Sequence, residues 1–459
     1  MYFEKLLSLE NDDWLWSFSL DDEIPLWLNI RVAVFWDLQK EEFSLSDPHL
    51  KEDKKALEIV RYILISLLKN PCRIKKNKIV IFGAGINNVR ENGQYINKLY
   101  DLYIENDKRF QLIESSAKNK YLRPRKYNNV FYSDIFLILA KIFSYFTVLK
   151  AKDYKRIMLM VDYMVNKKLI KDDDKKLWRK RIMNICKKNI VLNILYRRFL
   201  MVKNIKALII EDAHYGGNSV LIKLAKEHNI PVIEMQHGYI GQGHLAYNYN
   251  REQYELLKKY LPDAFLTFGG YWASRIRTPA KILNIGNAYL ESKALVEISN
   301  EKDILLIISG GTMPELYVEL SKLLSSIYKN KYKLLFRPHP SERPNLKERY
   351  SIISEYGFEI DISNLYETLP KVKLIISYEL STVLYEALLF TDKVFLINNE
   401  SVSQYIYEKL PFKIVSSIQD IAIIDEKEMN KDFKINDIWE HDAILNFKKY
   451  FDKIVGQNI

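Results

Sequence analysis

A chain of 459 residues with 48% hydrophobic residues and no low-complexity tract is long enough for two or three domains with full cores, which excludes a disordered chain. Its two cysteines, Cys72 and Cys186, stand far apart and in no metal-ligand spacing, which excludes a disulfide framework or zinc site and points to a reduced, cytoplasmic setting. The net charge of +11 sits in one stretch: residues 51–200 hold 35 basic and 14 acidic residues, against 3 and 11 in 1–50 and 31 and 33 in 201–459.

The segment Met1–Lys5 lacks a basic run followed by a long apolar one, so no secretory leader is expected. Residues 1–70, rich in Trp, Leu and acids, read as mixed helix with a strand at Ile30–Phe35. A strand at Lys78–Phe82 ends in Gly83-Ala84-Gly85, but the third glycine of a dinucleotide fingerprint is missing. The polar stretch after it, with Asn88, Arg90, Asn92, Tyr95, Asn97 and Asp101, reads as a helix start. Arg90 and Tyr95 there are candidate acceptor-sugar contacts, with an ordinary surface helix as the other account. Val130–Leu149 is greasy but contains Asp134 and Lys141. A charge at the bilayer centre costs about 2.5–3.5 kcal/mol, so a buried or interfacial helix is expected rather than a span.

Residues 130–200 read as long helices. Within them Lys150–Arg198 is densely basic, with Tyr154, Tyr163, Trp178 and Tyr196 interleaved. That pattern suits an anionic membrane surface or an acidic polymer; equally, it suits a solvated face whose aromatics point inward. No RNA-recognition or zinc-knuckle motif is present, so nucleic acid is not an expected partner.

Strands follow at Ala207–Ile210, Pro231–Met235, Ala264–Phe268 and Lys281–Ile285, with a helix at Ser219–His228. Glu291–Lys302 reads as a polar linker. Beyond it strands and helices alternate: strand Ile304–Ile308, helix Glu315–Tyr328, strand Lys333–Phe336, helix Leu346–Glu355, strand Phe358–Ile360, helix Leu365–Pro370, strand Leu374–Ile376, helix Thr382–Phe390 and strand Val394–Ile397. Such alternation predicts parallel sheets. The expected class is α/β, with two Rossmann-like domains facing a central cleft. One spans 1–290 with a helical insertion at about 130–200, the other 303–440, and a terminal helix in 441–459 packs back on the first.

In open α/β sheets ligands bind outside the carboxyl ends of the strands, where the candidate residues lie. Arg337-Pro338-His339-Pro340 offers a guanidinium fork and an imidazole to phosphate oxygens, on a turn the prolines fix. Ser381 and Thr382 precede a helix and can cap it or meet a phosphate. Glu386, one turn on, could accept from ribose hydroxyls. The loop Ser309-Gly310-Gly311-Thr312 lets backbone N–H groups approach a ligand, although it lacks the phosphate-loop lysine. In the first half Glu211-Asp212-Ala213-His214 and Gln236-His237-Gly238 end two strands, with His244 downstream. A carboxylate or imidazole there could deprotonate an attacking hydroxyl, and His214 and His244 are candidate acceptor contacts. The histidines show no paired metal spacing, so no metal is expected.

Glu211-Asp212-Ala213, His339-Pro340 and Ser381-Thr382 resemble, in that order, the three motifs of bacterial sialyltransferases with the GT-B fold. That resemblance implies Asp212 as general base with Glu211 in reserve, and His339, Ser381 and Thr382 on the CMP phosphate. Ala213 departs from the usual Gly. Gln236-His237-Gly238 also resembles the Gln-His-Gly of CDP-glycerol glycerophosphotransferases, which implies His237 as base. The function expected is an inverting, metal-independent and cofactor-free glycosyltransferase. It would use a nucleotide-activated sugar, with a CMP-activated nonulosonic acid as lead, and a bacterial surface glycan or glycolipid as acceptor. The location expected is cytoplasmic, peripheral at the plasma membrane. A CDP-polyol phosphotransferase, a UDP-sugar transferase or epimerase, and a non-catalytic carbohydrate- or membrane-binding partner are the alternatives.

Overall fold

The computed structural model describes residues 2–20, 24–46, 56–294, 302–399, 409–418, 420 and 433–456. Apolar runs that are buried on both faces can only sit in the middle of covered parallel sheets. Ala207–Ile210, Val232–Met235, Ile304–Ile308 and Val394–Ile397 are such runs, buried at every residue. They nucleate two parallel sheets.

The first sheet contains β1 (Ile79–Ala84), β4 (Phe110–Ser115), β5 (Val130–Tyr132), β6 (Ala207–Ile210), β7 (Val232–Met235), β8 (Ala264–Thr267) and β9 (Lys281–Asn284), in the order β5-β4-β1-β6-β7-β8-β9. β2 (Asn88–Glu91) and β3 (Gln94–Asn97) form a separate antiparallel hairpin. The second sheet contains β10 (Ile304–Ile308), β11 (Lys333–Arg337), β12 (Glu359–Ile360), β13 (Val372–Ser377), β14 (Val394–Ile397) and β15 (Lys413–Val415), in the order β12-β11-β10-β13-β14-β15. In each sheet the chain winds outward in opposite directions from two central strands. The reversal lies between β1 and β6 in one sheet and between β10 and β13 in the other. Crevices at such reversals are where open α/β sheets take ligands.

The two-sheet α/β class expected from the sequence is present, and several elements differ from expectation. Ile30–Phe35 is not a strand; it lies inside helix Leu26–Glu42, where Ile30, Arg31, Val34 and Phe35 are buried at helical spacing. The stretch after Gly85 is not a helix start but the β2–β3 hairpin, closed by Asn92-Gly93 with φ of 47° and 78°. Asn-Gly is the preferred pair for a two-residue turn with positive φ at both positions. β4 and β5 escape a search for apolar runs. β4 carries Gln111 and Glu114, which are buried and bonded to Asn129 and Asn97. β5 is three residues long, so the long-helix region begins only at Asp134 and forms helices Asp134–Ser144, Ala151–Asn166 and Lys175–Lys203. Trp178 and Tyr196 point into the core, while Tyr154 is exposed. Of the expected linker, residues 291–294 end helix Ala288–Ala294 and 295–301 lie outside the described residues.

The C-terminal chain returns to the first sheet. Trp272 donates to the Ile438 carbonyl at 2.8 Å, and helix Ala443–Gly456 lays Phe447 and Phe451 on Phe110 at ring distances of 5.3 and 5.2 Å. No described helix is long and apolar enough to cross a membrane.

Helix Leu26–Glu42 carries a fully buried guanidinium. Arg31 holds Glu10 through Nε at 2.7 Å and Nη2 at 2.8 Å, and donates to the carbonyls of Leu245 at 2.6 Å and Asn248 at 3.1 Å. Removing one partner of a buried pair strands the other charge. Arg31→Met should therefore cost about 3–5 kcal/mol, read as a drop in the urea midpoint.

Candidate functional site

At the first sheet's reversal, β6 ends in Glu211 and Asp212. Glu211 turns inward: its carboxylate accepts the Ala84 N–H at 2.7 Å and the Asn87 side-chain amide. Burial, then the charge of Asp212, pushes its pKa well up. It braces β1 to β6 and does not face an acceptor. Asp212 adopts the left-handed region, φ 55° and ψ 32°, which rolls its side chain to the opposite side, where it is 47% exposed. Its pKa is also raised, first by burial and then by Glu234, with His237 pulling the other way.

β7 ends in Gln236-His237-Gly238. Gln236 is buried and clamps the turn, donating to the Gly238 carbonyl at 2.9 Å and accepting the Phe268 N–H at 2.9 Å. That leaves His237 at the rim, its side chain 21% exposed and its Nδ1 3.5 Å from Asp212 Oδ1. Tyr247 OH stands 3.3 Å from the same Nδ1 and donates to Glu234 Oε1 at 2.5 Å. Sequence reasoning missed both Glu234 and Tyr247. Glu234 is an acid inside an otherwise apolar strand, a pattern that marks a buried carboxylate with partners.

The structure removes His214 from the acceptor site. It is fully buried, with Nδ1 on Glu234 and Nε2 2.8 Å from Thr278 Oγ1. His244 is part-buried beside the cluster: Nδ1 accepts the Ala246 N–H at 3.3 Å and Nε2 lies 3.3 Å from Tyr215 OH. Burial, then the proximity of His237, holds its pKa down at about 3. Arg90 and Tyr95 are cross-strand partners on the hairpin, rooted beside Glu211 through Asn87. Among the described residues neither side chain hydrogen-bonds to Asp212 or His237. One oxygen or nitrogen each from Asp212, Glu234 and His237 gather within 4.8 Å, the spacing of a cation site. Both Glu234 oxygens are already engaged by Tyr247 and His214, so a cation there would share that carboxylate with them.

At the second reversal, the Ser309–Thr312 loop does not present its N–H groups to a ligand. Gly310 N–H donates to Glu379 Oε2 at 2.8 Å, and Thr312 gives its N–H and hydroxyl to Oε1 at 3.2 and 2.5 Å. Glu379 is thus an internal guest, with its pKa raised by burial. Ser309 Oγ donates to Glu342 at 2.7 Å. Glu342, another unforeseen residue, also accepts the His339 N–H at 2.9 Å and Arg349 Nη1 at 2.8 Å.

His339 is exposed, and its Nδ1 accepts the Ser341 N–H at 3.3 Å and lies 2.6 Å from Ser341 Oγ. Because Nδ1 is an acceptor, the ring proton is on Nε2, so the outward nitrogen is a donor. Arg337 is not available as a phosphate fork: Nη1 holds Asp361 at 2.6 Å and Nη2 the Ser363 carbonyl at 2.9 Å. Glu386 is buried and accepts Tyr366 OH at 2.8 Å, so it does not reach out for a ribose. Ser381 caps helix Thr382–Ala387 by position only. Its Oγ is buried and has no hydrogen-bond partner.

The two reversals meet. A Cβ on Gly238 would lie 3.3 Å from Thr382 Oγ1, so the His237 turn rests on the Ser381-Thr382 turn of the other sheet. Next to this contact Tyr239 stacks on Tyr385, rings 5.8 Å apart, and Tyr385 packs on Trp272 at 4.5 Å. Asp212, His237, Ser381 and Thr382 therefore share one rim, with His339 on the same sheet edge two strands along.

No protein-family model matches the chain, and no curated protein matches it. Among solved structures, the UDP-GlcNAc 2-epimerase of Methanocaldococcus jannaschii in complex with UDP-GlcNAc and UDP is similar over 83% of this chain and 99% of its own, at 12% identity and a TM-score of 0.47. MurG of Acinetobacter baumannii is similar over 83% and 99%, at 10% identity and 0.42. CalG4, the calicheamicin glycosyltransferase, is similar over 83% and 95%, at 8% identity and 0.40. Likenesses this distant assign no activity.

The low pKa of His244 carries a pH signature. Unfolded, it takes up a proton near 6.5; folded, only near 3. The unfolded state therefore binds more protons across that window, and stability is lost as pH falls from 6.5 towards 3. The loss is about 1.4 kcal/mol per pH unit at most. His244→Gln should flatten the melting-temperature profile over this range relative to the parent.

Proposed function

We propose that the protein is a nucleotide-sugar-dependent glycosyltransferase whose reacting groups line the rim where the two sheets meet. The observation that supports this is the contact of the His237 turn with the Ser381-Thr382 turn. It sets a poised imidazole across from hydroxyl groups at the opposite strand ends.

The hydrogen bonds around His237 favour it as the base. Burial keeps Tyr247 protonated by raising its pKa well up, and its O–H is given to Glu234. The Tyr247 oxygen can then only accept from Nδ1 of His237. Neutral His237 carries its proton on Nδ1, shared between Tyr247 and Asp212, and its lone pair on Nε2. Nε2 takes the proton of an acceptor hydroxyl as that oxygen attacks the anomeric carbon. The bond from that carbon to the nucleotide's phosphate oxygen breaks, and its electron pair leaves on the phosphate. The Thr382 hydroxyl and the Nε2–H of His339 are the donors for the leaving charge, with Ser381 Oγ, buried and unpartnered beside them, turning out to join them. Asp212 orients His237 and balances the imidazolium that forms. No metal is needed in this scheme.

The acceptor is a glycan or glycolipid hydroxyl. For the donor, a CMP-activated nonulosonic acid is one reading. The spacing of the His339 and Ser381 loops favours a diphosphate, such as a UDP-sugar, as the other.

Melting curves with CMP, CDP and UDP separate these readings, because a ligand bound only by the folded state raises the melting temperature. At a hundredfold excess over Kd the gain is about 2.7 kcal/mol. A shift with none of them removes the donor site and the proposal with it. In a transfer assay His237→Ala should lose about 10²–10⁴ in kcat. His339→Ala should lose about 10²–10³. Tyr247→Phe should lose roughly 10–100-fold through the wrong tautomer, with the melting curve of each variant confirming its fold.

A further inference from the structure

Helix Asp134–Ser144 and the turn after it carry an open apolar surface. Helix Asp134–Ser144 buries Phe136 on Tyr196 and Phe199 of the long helix, at ring distances of 5.0 and 5.5 Å. The end of that helix and the turn after it do the opposite. Phe143 is 51% exposed, Tyr145 76%, Phe146 79% and Val148 87%. Four large apolar side chains within six positions at a protruding turn form a patch that marks an interaction site. Helix Ala56–Leu68, tied to the same helix by Tyr62 OH to Asp134 at 3.0 Å, exposes Leu57, Leu64 and Leu68 as well.

The surroundings select the partner. Residues 151–203 hold 16 basic and 5 acidic residues, a net +11 that equals the charge of the whole chain. Exposed Lys141 and Lys155 flank the turn. A second copy would bring the same positive field against itself. An acidic polymer in water offers nothing to bury Phe146 and Val148. A bilayer with anionic headgroups offers both an apolar layer and a negative surface.

We propose that the 143–148 turn is a membrane wedge: Phe143, Tyr145, Phe146 and Val148 enter the acyl boundary of an anionic bilayer while Lys141, Lys155 and the helices behind them lie on its headgroups. The attachment is interfacial and independent of the catalytic reading.

Flotation of the full chain with phosphatidylcholine vesicles, with and without roughly one-third phosphatidylglycerol, tests this. Binding is expected only with the anionic lipid, and should fall at least about tenfold between 0.05 and 0.5 M salt. The double variant Phe146→Ser, Val148→Ser should bind at least roughly tenfold more weakly. Both residues face solvent, so its melting curve should match the parent's. The pair Lys141→Glu, Lys155→Glu should weaken binding to the anionic vesicles. Equal binding by the serine variant, equal binding to neutral vesicles, or no binding at low salt overturns the wedge. A dimer in sedimentation equilibrium that the serine variant dissolves also overturns it, by giving the surface to a second copy.

Discussion

The pairing of Arg31 with Glu10 is the constraint on which the rim depends. Both side chains are wholly buried, so neither charge can be satisfied by water. The guanidinium spends its remaining donors on the carbonyls of Leu245 and Asn248 and lies 4.1 Å over the ring of Tyr249. Those contacts bracket Tyr247 on both sides. Tyr249 in turn bonds the His214 carbonyl at 2.7 Å, and His214 grips Glu234. An ion pair of this kind adds little net stability, because desolvation cancels much of the attraction. Its contribution is positional: it leaves one backbone path for residues 245–249, hence one placement for the phenol that sets the tautomer of His237.

The same device recurs at the strand ends. Parallel sheets leave backbone N–H groups unpaired where strands pass into loops, and a buried N–H without an acceptor is costly. Here Glu211 serves the β1 end, Glu342 the turn at His339 and Glu379 the Ser309–Thr312 loop. Each carboxylate pays a desolvation penalty and in exchange fixes a loop before any substrate arrives. The backbone donors left over for a ligand at these ends are then few.

What the sequence reveals follows from range. Continuous apolar runs such as Ile304–Ile308 and Leu374–Ile376 announce buried strands by themselves, so the second sheet is legible nearly element by element. β4 is not, because Glu114 and Gln111 look like surface residues until Arg125 and Asn129 are seen beside them. At the site, strand-end positions are legible and side-chain direction is not. Arg337, Glu386, Glu211 and His214 stand where ligand contacts are expected, yet each is consumed by a partner distant in sequence. Asp361, Tyr366, Asn87 and Glu234 are those partners, and nothing local in the sequence names them. Asn92-Gly93 is the exception, a local signal strong enough to have marked the hairpin.

The strand order also bears on the donor. β11 and β13 flank β10, so the stems of the His339 and Ser381 loops stand two strand spacings apart, roughly 10 Å. Between them lies the Ser309–Thr312 loop, whose donors Glu379 already holds. A ligand that met both loops would have to span that interval. In the proposed reading a diphosphate does so: the group bonded to the sugar would meet Ser381 and Thr382, opposite His237, and the second would reach towards the Nε2–H of His339. With a monophosphate donor at Ser381 and Thr382 the proposed reading leaves His339, whose ring Nδ1 faces Ser341, no charge to meet. The proposed reading therefore expects a nucleoside diphosphate rather than CMP, and loss of turnover in His339→Ala together with stabilisation by UDP or CDP but not CMP would bear it out.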